Sequence, residues 1–90
     1  MFRYKQSIPV SRNAQGYIYF KSRLYNRLPV QDRQQIVDLC LDYGGEYYQA
    51  LFQFVTTDSG ADAICIQHNV SRSSLERVVS RYYVGFSDKL

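Results

Sequence analysis

Five polar residues near the carboxyl end of the chain carry side chains able to read the edges of nucleic-acid bases. They are Arg72, Ser73, Glu76, Arg77 and Ser80. An arginine can donate two parallel hydrogen bonds to guanine, a glutamate can accept one from cytosine, and a serine can bond a base or a phosphate. These side chains can contact the same DNA site only if one rigid element places them on one side. Whether it does so depends on the secondary structure that the neighbouring residues predict.

Two short apolar patterns of helical period enclose these residues. Each follows the i, i+3, i+4, i+7 spacing of a single helix face. The patterns comprise Ala61, Ile64, Cys65 and His68, and then Leu75, Val78, Val79 and Tyr82. They predict one helix over about 60–68 and a second over 72–83. With the inward positions removed, the five polar residues form the outer side of the second helix.

The junction between the two patterns has the chemistry of a tight turn. Asn69 tolerates a left-handed backbone conformation and can end the first helix. Ser71 is a favourable N-cap for the second helix, because its hydroxyl accepts from a backbone N–H one turn later. Val70 lies between them and is expected to be buried. Two helices joined in this way form a helix-turn-helix.

Residues 62–83 resemble the helix-turn-helix of bacterial DNA-binding proteins, including transposase, resolvase, homeodomain-like and sigma-factor region 4 types. The small Cys65 and the run Val70-Ser71-Arg72-Ser73 carry this resemblance, while Asn69 stands where glycine is more usual. The whole chain is similar to small helix-turn-helix proteins of Gram-positive phages and integrative elements, through residues 16–20, 44–52 and 71–75. The resemblance implies a regulatory or accessory role in DNA transactions.

Charge is unevenly distributed along the 90 residues, whose net charge is +3. Residues 1–28 carry +6 and no acid, residues 29–70 carry −5, and residues 71–90 carry +2. The basic segments are suited to a phosphate backbone. Candidate phosphate contacts are Ser71, Arg81, Arg12, Lys21, Arg23 and Arg27. Ordinary solvated faces are the alternative, and Arg72 and Glu76 have the i, i+4 spacing of a surface pair.

The chain as a whole is predicted to be all-α, a compact bundle of about five short helices that contains the helix-turn-helix. We expect one domain over 1–90, with a basic N-terminal segment (1–28), a helical core (29–83) and a short frayed tail (84–90). Beyond the two helices above, the patterns predict helices over 21–28, 30–43 and 46–55. Gly44 and Gly45 are expected to end the helix over 30–43. A weak strand pattern in residues 2–10 and 17–20 allows a small N-terminal β element.

Several functional classes are disfavoured by the composition. His68 is the only histidine and the two cysteines, Cys40 and Cys65, lack metal-ligand spacing, so no metal and no cofactor are expected. A lone Cys65–His68 pair on a helix face is more often packing than catalysis, so an enzyme is not expected. No run approaches the roughly 20 apolar residues that a membrane span needs. The sequence predicts a cytoplasmic protein with no membrane partner.

The function that the sequence predicts is sequence-specific binding of double-stranded DNA, with a role in transcriptional regulation. A homodimer is compatible with this function. The main alternative is a protein-interaction module, such as a mobile-element inhibitor of a host nucleic-acid enzyme, in which the helix-turn-helix is only a scaffold. A recombination or excision accessory factor is a third possibility.

Overall fold

The computed structural model describes residues 2–90, which form an all-α fold. Its five helices are α1 (Arg12–Arg23), α2 (Val30–Gly44), α3 (Tyr48–Thr56), α4 (Ala61–His68) and α5 (Arg72–Ser87). Short 3₁₀ turns follow α1 at Tyr25–Arg27 and precede α3 at Gly45–Tyr47. The predicted all-α bundle of about five helices is confirmed. Among residues 2–90 no helix has the length and apolar character required to cross a bilayer.

Helix α5 is the centre of the fold, because it packs against each of the other four helices. Its inward side is apolar or aromatic along its whole length. The buried side chains on it are Leu75, Val78, Val79, Tyr82, Tyr83 and Phe86. Gly85 lets the Tyr43 ring of α2 approach closely, since a Cβ at this position would lie 2.2 Å from that ring. The core is therefore built around one helix.

A buried hydrogen bond joins α5 to α1. The hydroxyls of Ser22 and Tyr82 lie 2.7 Å apart, and both side chains are almost fully enclosed. Burial raises the pKa of the Tyr82 phenol, so the hydroxyl keeps its proton even at pH values where an exposed tyrosine would lose it. Because Tyr17 also packs against Phe86 with a ring separation of 6.4 Å, α1 runs antiparallel to α5.

The prediction for residues 17–28 was wrong in its boundaries. Tyr17–Phe20 lies inside α1, which begins at Arg12 with Ser11 as N-cap and ends at Arg23, and only a 3₁₀ turn follows. The reason is packing of this segment against the rest of the fold. Gln15, Ile18 and Ser22 share one helix face and are all buried, which outweighs the strand propensity of the aromatic run.

The segment before α1 is irregular, with turns and bends over residues 6–10, and belongs to no strand, so the small β element is absent from residues 2–90. Instead, the buried amide of Gln15 satisfies its backbone. Gln15 accepts from the Lys5 N–H at 3.1 Å and donates to the carbonyls of Lys5 and Val10 at 2.9 and 3.0 Å. One side chain thus replaces a neighbouring strand and fixes Ile8 and Val10 in the core.

The predicted boundary of the last helix was also wrong. Helix α5 continues to Ser87 rather than ending at residue 83, so residues 84–87 are not a frayed tail. The cause is Phe86, which is buried and packs against Tyr82 with ring centroids 5.8 Å apart. By contrast, α2 ends close to its predicted boundary, where Gly45 adopts a positive φ of 56°.

We expect Ser22→Ala and Tyr82→Phe each to lower the free energy of unfolding by about 1–3 kcal/mol, because each leaves a buried hydroxyl without its partner. The double variant should lose less than the sum of the two single losses, since no unpaired hydroxyl remains. Urea denaturation measures all three, with Tyr4→Phe at an exposed tyrosine as the control. Strictly additive losses would contradict a coupled pair.

Candidate nucleic-acid interface

The turn between α4 and α5 has the predicted geometry. Asn69 is left-handed, with φ 54° and ψ 50°, and is the only non-glycine residue among 2–90 with a positive φ. The N–H of Val70 donates to the carbonyl of Cys65 at 3.0 Å, and the N–H of Asn69 donates to that of Ile66 at 3.4 Å. This pair of bonds is the Schellman arrangement, which satisfies carbonyls at the end of a helix.

The start of α5 is also confirmed. Ser71 has an extended backbone, and its hydroxyl accepts from the N–H of Ser74 at 3.1 Å. Val70 is buried between the two helices. Three consecutive residues therefore stabilise the turn: Asn69 by its left-handed backbone, Val70 by its burial and Ser71 by its capping hydrogen bond. The orientation of α4 relative to α5 is therefore set by the residues of the turn itself.

The structure brings together the residues predicted to contact bases. Ser73, Glu76 and Arg77 are exposed, Ser80 is half-buried, and the phosphate candidate Arg81 is exposed beside them. These five residues are called the outward face of α5. Among residues 2–90 neither Arg77 nor Arg81 has an ion-pair partner. Arg81 nevertheless lines a surface hollow with Asp42 of α2, so Arg77 is the cation best placed for an anionic ligand.

Arg72 is paired, but with a different partner from the one that its spacing suggested. Its guanidinium lies 2.9 Å from a carboxylate oxygen of Asp62, one helix away, and not beside Glu76. The two side chains are 56% and 88% exposed. Exposed pairs of this kind contribute about 0–1 kcal/mol. A phosphate can therefore replace Asp62 as the partner of Arg72 at small cost.

Two basic residues of α1, Lys21 and Arg23, form ion pairs within the protein. Lys21 lies 3.4 Å from a carboxylate oxygen of Asp32, and Arg23 pairs with Asp58 while its guanidinium stacks 4.6 Å from the centre of the Tyr19 ring. Both side chains are mostly enclosed. Lys21 and Arg23, two of the predicted phosphate contacts, therefore do not belong to the outward face of α5.

Arg12 and Arg27 are exposed but do not extend the same surface. Because α1 runs antiparallel to α5, Arg12 at its start lies toward the C-terminal end of α5, away from Ser71 and Arg77. Arg27 belongs to the 3₁₀ turn that packs on α2. The phosphate candidates thus separate into Ser71 and Arg81 on α5, and a group associated with α1 that lies elsewhere.

Lys5 is a basic residue beside the interface that sequence reasoning missed. It lines a hollow of about 390 Å³ together with Arg72, Glu76 and Ser80. Its position depends on the hydrogen bonds from Gln15 to the backbone of residues 5–10. Those bonds join an irregular segment to a buried amide, and no periodic pattern in the sequence indicates them.

The cysteines and the histidine are held in structural contacts. His68 Nε2 lies 2.8 Å from Gln53 Oε1, so its described partner is an amide. Burial raises the pKa of the Cys40 thiol to about 12, which keeps it protonated at neutral pH. Within residues 2–90 no three His, Cys, Asp or Glu side chains cluster in a way that could hold a metal ion.

Comparison with known proteins identifies no relative, since no family model, curated protein or solved structure matches the chain.

We expect Asn69→Ala to lower the free energy of unfolding by about 1–2 kcal/mol, because a side chain without local hydrogen-bonding ability is strained in the left-handed region. Asn69→Gly should be as stable as the natural chain or more so, since glycine adopts this conformation freely. Asn13→Ala, at an exposed helical position, is the matched control and should not destabilise. Chemical denaturation of the four proteins makes the comparison, and equal losses at positions 69 and 13 would contradict it.

Proposed function

We propose that the protein binds double-stranded DNA through α4, the turn and the N-terminal half of α5, and acts as a regulator of transcription. The observation that supports this most is the rigid turn at Asn69–Ser71, which leads directly into a helix whose first two turns expose Ser73, Glu76 and Arg77. In helix-turn-helix proteins the second helix lies in the major groove, and its N-terminal residues contact base edges.

The arrangement of α5 suits this role. The helix has 16 residues and is about 24 Å long at 1.5 Å per residue. Its C-terminal half is enclosed by α1 and α2, which anchors it, while its N-terminal half has an exposed side. A helix that enters a groove must be anchored to the protein through a part of the helix that does not contact the bases. The core provides that support through Tyr82 and Phe86.

The charges around the interface favour selectivity over strong general affinity. Arg77 is the unpaired cation on the outward face nearest the start of α5, with Lys5 and Arg72 at its margin. Glu76 and Asp62 stand among these cations and would repel a phosphate placed wrongly. Arg77 is proposed to bond guanine, Glu76 to accept from cytosine, and Ser71 and Arg72 to hold phosphates.

We propose a binding role without catalysis. Cys40 is buried and protonated, and His68 Nε2 lies 2.8 Å from Gln53 Oε1. The described contacts explain these residues through packing and hydrogen bonding alone.

Arg77→Ala should weaken binding to the preferred DNA sequence by about 1–3 kcal/mol, which is roughly 5- to 150-fold, because it removes a bidentate base contact. The preferred sequence is first selected from a random duplex pool with the natural protein. Fluorescence anisotropy then measures affinity at about 50 and 200 mM salt, where release of counterions from phosphate contacts should weaken binding as salt rises.

Lys89→Ala is the control, because it removes a charge of the same sign from an exposed site just beyond the C-terminal end of α5. It should change the affinity less than twofold, about 0.4 kcal/mol or less. Equal effects of the two substitutions would show that only net charge matters. Undetectable binding of the natural protein at low salt would contradict the proposed function itself.

A further inference from the structure

Helix α1 has a second, exposed apolar side that the core does not use. Tyr17, Phe20 and Leu24 follow each other at intervals of three and four residues and are 49%, 57% and 49% exposed. This group is called the α1 face. Exposed apolar residues on soluble proteins are usually scattered singly, whereas a contiguous row at helical spacing is typical of an interaction site.

The α1 face continues into a shallow groove. Phe2 and Leu28 extend it beyond the helix, and the groove has a volume of about 810 Å³. The Phe2 ring is held in the groove by two aromatic contacts. Its centroid lies 6.2 Å from that of Phe20, which also lines the groove, and 5.5 Å from that of Tyr19, which lies outside it. A surface ordered in advance loses little entropy when it is covered. The dimensions and spacing suit an amphipathic helix lying in the groove.

Both charged side chains that line this groove are positive. Arg12 and Lys21 line it, and Arg27 is exposed in the turn between Leu24 and Leu28. Lys21 is already neutralised by Asp32, whereas among residues 2–90 Arg12 and Arg27 have no ion-pair partner. Among residues 2–90 no carboxylate lines the groove. A complementary ligand therefore has apolar residues at its centre and acidic residues at its margins.

From the α1 face and its basic margin we infer that this groove binds an acidic amphipathic helix of another protein. A second copy of the chain fits less well. If two α1 helices packed antiparallel, Arg12 of one copy would approach Arg27 of the other, and like charges would meet at both ends. The acidic helix pairs with both arginines while covering Phe20 and Leu24.

This groove lies apart from the proposed DNA interface and does not depend on it. Tyr17 packs at Phe86 and Ser22 bonds Tyr82, and these two residues of α5 lie 13 and 9 positions after Ser73, about 20 and 14 Å along the helix. Phe20 and Leu24 therefore lie on a different side of the molecule from Ser73 and Arg77, although Phe2 at the edge of the groove is only three residues from Lys5 at the margin of the proposed DNA interface.

The test uses the full chain and two synthetic amphipathic peptides of about 18 residues, long enough to form a helix on binding. Both carry leucines at helical spacing, flanked by glutamates in one peptide and by lysines in the other. Titration calorimetry should show saturable binding of the glutamate peptide, with the lysine peptide weaker by about tenfold or more. Replacing both Arg12 and Arg27 by Glu should reverse this preference.

Leu24→Ser and Leu41→Ser form a matched pair, because the two leucines are 49% and 48% exposed but only Leu24 belongs to the α1 face. Phe20→Ser and Leu24→Ser should each weaken the glutamate peptide by about fivefold or more, and Leu41→Ser by less than about twofold. Circular dichroism confirms that each variant is folded.

Three results would overturn the inference. The first is that the folded natural chain binds neither peptide, or binds both equally. The second is that Leu41→Ser weakens binding as much as Leu24→Ser. The third is self-association in analytical ultracentrifugation that Phe20→Ser abolishes, which would assign the α1 face to a second copy. DNA binding by the natural chain is measured separately, so failure here leaves the proposed function unaffected.

Discussion

The fold depends on the burial of α5 by the other four helices. Tyr82, Phe86 and their apolar neighbours supply the core, and the bond between Tyr82 and Ser22 fixes α1 against them. Because the helix is anchored by its C-terminal half, its N-terminal half can keep one side free without losing rigidity. One helix thus serves both as the centre of the core and as the support of the candidate interface.

The junction of α4 and α5 could be predicted from the sequence because its determinants are local. Asn69 ends one helix, Ser71 caps the next, and the apolar residues on either side repeat at helical spacing. Helix α1 could not be placed in this way. Its tyrosine-rich segment favours strands locally, and its helical state depends on Gln15 and Ser22, whose partners lie elsewhere in the chain. The same holds for residues 84–87, which Phe86 draws into the core.

Charge shows the same division between local and tertiary effects. The basic character of residues 1–28 is evident from the sequence, but the ion pairs that use Lys21 and Arg23 join residues 11 and 35 positions apart. These pairs take two predicted phosphate contacts away from the outward face of α5, while Lys5 enters its margin. What remains near Ser71 is a small group of cations interspersed with Glu76 and Asp62. Such a group is better suited to selecting a site than to general attraction.

We propose that the rigid turn and the exposed start of α5 are the part of the molecule that meets DNA. The most direct measurement is the change in backbone amide resonances of the labelled protein on titration with its selected duplex. The proposed function predicts the largest changes over residues 69–77 and near Lys5, with little change over 17–24. Changes confined to α1 or α2, with residues 69–77 unaffected, would contradict it.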